Sequence, residues 1–248
     1  MIKILKLILL VWIATLVVFI STKIAFNKYV EHKHIPLKIL YSVVSVGNAS
    51  GVIVYSDEVF TLVLTAFHVL DFSDKAQAVG VLYLNETKEF TFETFPILDL
   101  EVEPENDLAL LVLPPIKNMG FIKLVGANDE PITGDDIYVA ANPNLRFRSI
   151  RKGTLSSKLR LDSKDIRMWE VSGGVIFGSS GGGAFTMDGE LFGVITGVDM
   201  LITNFCKEER TQCLGIPLTD AGFVIPPDTI REFVLNSNFD FCFNYLRE

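Results

Sequence analysis

Short apolar runs separated by turn residues dominate the chain from residue 39 onward. Apolar and polar positions alternate over Ser42–Val46, which predicts a half-buried strand, and the continuous apolar runs Gly51–Tyr55 and Leu108–Leu113 predict fully buried strands. Asp188-Gly189 stands between two further apolar runs and predicts a hairpin. Strands of this length and spacing, without a long helical period, are typical of β-barrels or of a β-sandwich.

One helix is clearly predicted, close to the end of the chain. Pro226-Pro227-Asp228 provides a start signal, because proline is compatible with the first turn of a helix. Ile230, Phe233 and Val234 then recur at helical spacing and form one apolar face. The pattern therefore predicts an all-β domain over residues 39–248, with a short helix at about 227–236.

The first 26 residues differ in kind from the rest, because residues 7–20 contain no charged side chain. A cleaved signal peptide and a retained membrane anchor both fit an apolar run that follows Lys3 and Lys6. No small-residue cleavage site comes next, since the run continues into Ser21-Thr22-Lys23. The sequence favours an uncleaved transmembrane helix within residues 1–26, followed by a polar stem over 27–38. Lysines lie on both sides of the run, so the positive-inside rule leaves its direction open.

Charge and cysteine content narrow the range of partners. The chain has 30 acidic and 22 basic residues, a formal net charge of −8, which disfavours a nucleic-acid partner. No motif calls for a metal or a cofactor. Cys206 and Cys213 bracket a polar loop and are a candidate disulfide, with two free thiols as the alternative. Cys242 lies in an apolar tail, where a buried structural thiol is expected.

Basic residues cluster between positions 144 and 160. Arg146, Arg148, Arg151 and Lys152 fall within this stretch. They would suit acidic lipid headgroups or an acidic peptide, and a solvated loop is the default interpretation of such a cluster.

Three short motifs carry candidate catalytic chemistry. The glycine-rich stretch 177–183 presents Ser180 as a hydroxyl nucleophile and lets successive backbone N–H groups converge on one point, as an oxyanion hole requires. His68 stands at the end of an apolar strand. Asp107 opens a buried strand, where a carboxylate is costly unless it is paired, and an imidazole N–H is its natural partner. The order His, Asp, Ser along the chain is that of one class of catalytic triad.

These motifs resemble those of trypsin-like serine proteases. The segments Thr65-Ala-Phe-His68-Val, Asn106-Asp107-Leu-Ala-Leu-Leu and Gly178-Ser-Ser180-Gly-Gly are similar to the three catalytic motifs of that family. The segments Ser50-Gly51-Val-Ile-Val, Ala141-Asn-Pro143 and Gly222-Phe-Val-Ile-Pro226 resemble the HtrA (Deg-type) branch more closely. Few residues follow the last of these segments in the sequence, so we expect the protease domain without the PDZ domain of that branch.

The resemblance implies a fold and a division of labour among the catalytic groups. Two six-stranded β-barrels, over about 39–125 and 130–226, would hold the triad in the cleft between them. Ser180 would attack a peptide carbonyl, His68 would act as general base and then as general acid, and Asp107 would orient the imidazole and stabilise its cation. The backbone N–H groups of Gly178 and Ser180 would form the oxyanion hole.

The resemblance also implies where the substrate binds. Ile195, Thr196 and Gly197 would line the pocket wall and pair with the substrate backbone as an added strand. Gly174 stands at the pocket base, where a trypsin-like specificity would need an acidic residue. We therefore expect an uncharged pocket for a small or medium apolar side chain.

The expected function is that of a serine endopeptidase acting on polypeptides, unfolded proteins among them, with a role in protein quality control. The expected location is a membrane, with the catalytic domain on the extracytoplasmic side. The alternative is a catalytically silent trypsin-fold module that binds a peptide or a membrane partner, and an esterase with the same triad is more remote. Ser179 replaces the aspartate that precedes the nucleophile in the digestive branch, so we expect activity without an activating cleavage.

Overall fold

A computed structural model of the chain describes residues 17, 20, 34–70, 78–84, 90–116, 119–142, 148–161, 167–202 and 215–247. Within these residues two antiparallel β-sheets account for most of the structure, with a helix before the first sheet (α1, residues 34–42) and another after the second (α2, Pro227–Asn236). The strands of the first sheet are β1 (Val43–Val46), β2 (Ala49–Ser56), β3 (Thr61–Ala66), β4 (Ala78–Leu84), β5 (Phe90–Pro96), β6 (Asp99–Glu103) and β7 (Leu108–Leu113). Those of the second sheet are β8 (Asp136–Ala141), β9 (Ser149–Leu161), β10 (Arg167–Val171), β11 (Gly183–Phe185), β12 (Leu191–Ile202) and β13 (Gly215–Ile225).

The first sheet has seven strands in the order β5-β4-β1-β2-β3-β7-β6. Its central strands β3 and β7 are buried along their whole length, as their continuous apolar runs predict. The expected closed barrel of six strands is wrong here, because the edge strands β5 and β6 form no ladder with each other in the described part of the chain. The two strands are consecutive and Pro96 lies at the corner between them, where it has no N–H to donate. The first sheet is therefore a half-barrel.

The second sheet closes into a barrel of six strands in the order β10-β13-β12-β11-β8-β9, as expected from the resemblance. The predicted hairpin at Asp188-Gly189 joins β11 to β12 and is confirmed. Thr186 N–H donates to the carbonyl of Glu190 at 2.9 Å, and Gly189 takes a φ of +85° that glycine adopts without strain.

The largest apolar core lies between the two sheets. It joins Leu64 and Leu110 of the first sheet to Phe185 and Val194 of the second. The predicted helix α2 is confirmed, and it covers this core with Ile230, Phe233 and Val234, all buried. Because both sheets contribute to one core, the ends of β3 and β7 are held close to β11 and β12.

Residues 34–38, predicted as the end of a polar stem, are helical. They belong to α1, whose Ile35 and Ile39 are buried in the shared core. The two isoleucines are one helical turn apart, so they lie on the same face of the helix. No described helix is long and apolar enough to span a membrane. The predicted transmembrane segment lies outside the described residues except for Val17 and Ile20, which are helical.

Two other expectations have different outcomes. Cys242 is buried, as predicted, and burial raises the pKa of its thiol to about 11. Cys206 and Cys213, the candidate disulfide, lie outside the described residues.

Only part of the basic cluster between positions 144 and 160 is described, and from Ser149 onward it forms strand β9 rather than a loop. Arg148 is half-buried, donates to the carbonyl of Leu40 at 3.1 Å and has its pKa lowered to about 10 by burial.

Candidate active site

His68 and Asp107 meet because β3 and β7 are paired in register. Ala66 at the end of β3 lies opposite Leu108 at the start of β7, so the residues just beyond this pair come together. A 3-10 turn over Phe67–Val69 carries His68. Its ring Nδ1 lies 2.8 Å from Asp107 Oδ2, and its backbone N–H donates to Asp107 Oδ1, also at 2.8 Å. The predicted pairing of the buried carboxylate with an imidazole is present.

The Asp107 carboxylate is also held by the second barrel. The hydroxyl of Thr196 donates to Oδ2, the oxygen that faces the His68 ring. Thr196 lies at a bulge in β12, between the paired residues Ile195 and Gly197, and a bulge redirects the side chain at that point. Thr196 was expected only in the pocket wall, and its contact with Asp107 was not predicted.

Asp107 is ionised in this setting. Burial by itself would raise the pKa of the carboxyl, but the hydrogen bonds from His68 and Thr196 outweigh burial and lower the pKa below its ordinary value. Asp107 also has a φ of +56°, which non-glycine residues rarely adopt. The side chain of Asp107 is 18% exposed and that of His68 is 47% exposed, so the carboxylate is enclosed while the imidazole remains accessible.

The loop that carries Ser180 is positioned by backbone hydrogen bonds rather than by charge. Gly181 N–H donates to the carbonyl of Ile195 at 2.7 Å, and Ile195 N–H donates to the carbonyl of Gly182 at 2.8 Å. Ser179 N–H donates to the carbonyl of Ile176 at 2.9 Å. The N–H and the carbonyl of Ile195 thus both form hydrogen bonds within the protein. Of the three predicted wall residues, Thr196 and Gly197 remain as candidates for strand-like pairing with a substrate.

Gly181 is required in this loop for two separate reasons. Its φ is +79°, and a Cβ at this position would lie 2.0 Å from the carbonyl oxygen of Ser50 and 2.1 Å from Oγ1 of Thr65. Both atoms belong to the first sheet. The absence of a side chain therefore allows the nucleophile loop to pack directly against the strand ahead of His68.

Ser50 connects the two halves of the site. Its N–H donates to the carbonyl of Ser180 at 2.9 Å, and its hydroxyl donates to the carbonyl of Gly178, also at 2.9 Å. The same hydroxyl accepts the N–H of Asn142 at 2.8 Å, and the Ser50 carbonyl accepts the hydroxyl of Thr65 at 2.7 Å. Sequence reasoning did not assign Ser50 a role, and the available signal was its place at the start of the apolar segment Ser50-Gly51-Val-Ile-Val.

The two predicted oxyanion donors are available in this structure. Among the described residues, no hydrogen bond uses the N–H of Gly178 or of Ser180, whereas the N–H groups of Ser179, Gly181 and Gly182 all have acceptors. The same part of the chain also shows no hydrogen bond between the Ser180 hydroxyl and the His68 ring. Catalytic hydrogen bonds are often long before a substrate binds.

A basic side chain lies beside Gly174, the residue predicted at the base of the substrate pocket. The side chain of Arg151, on β9, lies against Gly174, so that a Cβ on the glycine would be 2.1 Å from Nη1 of the guanidinium. The expectation of an uncharged pocket considered only the residue at position 174 and not this neighbour on β9.

Comparison with known proteins agrees with the resemblance read from the motifs. The family described as trypsin-like peptidase domain matches residues 49–194, more than half of the chain. The mitochondrial serine protease HTRA2 of Drosophila virilis is 27% identical over 157 residues, which cover 61% of this chain and 34% of that protein. HTRA2 of Drosophila grimshawi matches to the same extent. The chain therefore spans about a third of the length of the curated relatives it matches.

Solved structures share the fold. The serine endoprotease from Yersinia pestis superposes with a TM-score of 0.59 at 21% identity, covering 86% of this chain and 66% of that one. The Rv3671c protease in an inactive form gives the same TM-score at 18% identity, covering 82% of this chain and 92% of that one.

Proposed function

Since the chain belongs to the trypsin-like peptidase domain family, on whose HtrA branch its relatives lie, we propose that it is a serine endopeptidase. Ser180, His68 and Asp107 carry the reaction. The observation that supports this most directly is the Asp107 carboxylate, which accepts hydrogen bonds from the His68 ring, the His68 backbone and Thr196. A group held in this way serves to orient an imidazole.

The proposed reaction runs through an acyl-enzyme. Asp107 keeps the proton of His68 on Nδ1, which leaves Nε2 free to take the proton of the Ser180 hydroxyl as Oγ attacks the peptide carbonyl carbon. The N–H groups of Gly178 and Ser180 stabilise the oxyanion. His68 then passes its proton to the leaving amine, and the ester remains on Ser180. Water, deprotonated by His68, attacks the ester, His68 returns that proton to Oγ of Ser180 as the C–Oγ bond breaks, and a carboxylic acid is released.

A silent binding module accounts less well for the same geometry. A non-glycine residue at positive φ costs on the order of 1–3 kcal/mol and is retained where the surroundings or the function demand it. Asp107 combines that backbone conformation with an ionised, enclosed carboxylate. A module that only binds a partner would have no use for this combination beside an accessible imidazole.

The test is labelling with a fluorophosphonate probe, which reacts only with an activated serine. The full chain should be labelled and should cleave an unfolded protein such as reduced casein. Ser180→Ala and His68→Ala should each abolish both activities, whereas Ser156→Ala, which changes an exposed serine of β9, should leave them unchanged. Cleavage by folded Ser180→Ala protein at the rate of the unmodified chain would refute the proposal.

We propose further that no activating cleavage is needed. Ser179 is buried, and its hydroxyl accepts the N–H of Ile176 at 3.2 Å. It carries no charge that could compensate the desolvation of an N-terminal ammonium group. The uncut chain, with its intact mass confirmed before and after assay, should label at Ser180. Labelling that appears only after a cut ahead of β1 would contradict this.

Substrate and location are also proposals. Unfolded polypeptides, and with them a role in protein quality control, are the expected substrates of a protease resembling this branch. The apolar run 7–20 is proposed to anchor the chain in a membrane, with the catalytic domain on the extracytoplasmic side. Protease shaving of intact cells tests the location, since digestion of the domain is expected and full protection would contradict it.

A further inference from the structure

Gly174 begins the loop that leads to Ser180, and the space for a side chain at this position is already filled. The glycine has a φ of +73°. A Cβ built on it would lie 2.1 Å from Nη1, 3.0 Å from Cζ and 3.1 Å from Cδ of Arg151. The guanidinium group therefore stands where a side chain at position 174 would stand, and it would have to move to admit one.

The backbone beneath Arg151 is tied to the same loop. Arg151 pairs with Val139 of β8, and two residues further along β9 the chain contacts Ser172. A Cβ on Gly153 would lie 2.1 Å from the Ser172 carbonyl oxygen. Ser172 N–H donates to the carbonyl of Thr154 at 3.0 Å, and Thr154 N–H donates to the Ser172 hydroxyl at 2.9 Å. These contacts fix the root of the Arg151 side chain relative to the loop of Ser180.

Arg151 has a charge without a partner in the described part of the chain. The other arginine side chains described there are all bonded, to the Leu40 carbonyl (Arg148), Asp228 (Arg167), Glu130 (Arg231) and Asp240 (Arg247). The structure records no hydrogen bond or ion pair for Arg151, which is exposed. Its guanidinium is therefore free to bind an anion from solution.

We propose that Arg151 makes the enzyme select substrates with glutamate or aspartate immediately before the scissile bond. This rests on the proposed function and on the family resemblance, which implies that Gly174 lies at the base of the pocket for that substrate residue. A guanidinium binds a carboxylate through two parallel N–H···O bonds. A neutral substrate side chain of the same shape, such as glutamine, shields the guanidinium from water without pairing its charge. A basic substrate side chain is repelled by the guanidinium.

The test compares fluorogenic peptides that differ only in the residue before the scissile bond, with glutamate, glutamine, valine or lysine at that position. With the full chain, glutamate should exceed glutamine in kcat/KM by about 10- to 100-fold, the range of a hydrogen-bonded charge. Arg151→Gln should bring the two peptides to similar values. Arg151→Glu should reverse the order of the glutamate and lysine peptides. The glutamate preference should fall at high salt, because Arg151 is exposed.

The matched control is Arg167→Gln, which removes another exposed arginine, on the neighbouring strand β10, and should leave the glutamate-to-glutamine ratio unchanged. Labelling at Ser180 separates the two ways of failing. A chain that labels but prefers valine or lysine, or that keeps its glutamate preference in Arg151→Gln, overturns the role of Arg151 alone. A chain that neither labels nor cleaves overturns this inference together with the proposed function.

Discussion

The His68–Asp107 pair and the Ser180 loop are positioned by different kinds of interaction. The pair is held by side-chain hydrogen bonds to one ionised carboxylate, which receives donors from both sheets. The loop is held by backbone hydrogen bonds, by glycines at positive φ and by the neutral hydroxyl of Ser50. The first arrangement therefore depends on charge, and the second depends on the absence of side-chain volume.

This difference suits the two chemical roles. The imidazole changes its charge during the reaction, so a fixed negative charge beside it stabilises the cationic form. The oxyanion hole must keep its donors free and in place, and any side chain or rival acceptor in the loop would disturb them. The His68–Asp107 pair should therefore be most sensitive to loss of charge, and the Ser180 loop should be most sensitive to added side-chain volume.

Removing the charge from the pair should have the largest effect on the reaction. Asp107→Asn keeps the size of the side chain but loses the carboxylate, so the His68 tautomer is no longer held and kcat should fall by about 10³–10⁴-fold. Steady-state kinetics of peptide cleavage measure this fall in kcat. Asp57→Asn is the matched control, since Asp57 also accepts backbone N–H groups but in an exposed turn. Equal losses in both variants would contradict the assigned role of Asp107.

Adding volume to the loop should break the second arrangement. Gly181→Ala places a methyl group about 2 Å from two atoms of the first sheet, as the Cβ distances of 2.0 and 2.1 Å require. Strained backbone and overpacking together should lower the free energy of unfolding by about 3–5 kcal/mol and abolish labelling of Ser180.

The control for that prediction is Gly134→Ala. Gly134 also has a positive φ, of +100°, but a Cβ there meets nothing within 4 Å. It should lose only about 1–2 kcal/mol in a urea titration, and labelling should persist. If the two variants lose the same stability, the close approach of the loop to the first sheet is not what makes Gly181 necessary.

Ser50 joins the two halves, and its removal should have an intermediate effect. Ser50→Ala leaves the Gly178 carbonyl and the Asn142 N–H without their buried partner, which should cost about 1–3 kcal/mol of stability. The rate of labelling at Ser180 should fall roughly tenfold, because one oxyanion donor is no longer held in place. Ser156→Ala should change neither quantity, and a loss of stability with an unaltered labelling rate would limit Ser50 to a structural role.

Low pH should weaken the His68–Asp107 pair and leave the Ser180 loop unchanged. We expect this to be the smallest of the four effects predicted in this comparison. The pKa of Asp107 is lower in the folded protein than in the unfolded chain, so its ionised form contributes stability that is complete above the ordinary aspartate pKa. This contribution is lost as the pH falls through the folded value. The stabilities of the unmodified chain and of Asp107→Asn, measured by urea unfolding, should therefore begin to converge as the pH falls below about 4 and meet below the folded pKa of Asp107. A constant difference down to pH 2 would contradict this linkage.

The local pattern of the sequence was enough for strands with continuous apolar runs such as β2 and β7, for the hairpin at Asp188-Gly189 and for the helix after Pro226, because each depends on neighbours along the chain. It was not enough for β9, whose basic residues favoured a loop. The need of Asp107 for a partner could also be predicted, since burying a carboxylate is costly wherever it lies. Similarity of three ordered motifs then added the family and strengthened the assignment of Ser180, which the glycine-rich stretch 177–183 had already singled out.

The tertiary structure alone decided which groups meet across the two sheets. Ser50 contacts Gly178, 128 positions away, and Thr196 contacts Asp107, 89 positions away. Such contacts depend on strand register and on a bulge in β12, which are set by the packing of the whole core. The guanidinium of Arg151 stands over Gly174 for the same reason. The half-barrel and the buried face of α1 were likewise missed, because edge pairing and burial depend on what the rest of the chain leaves open.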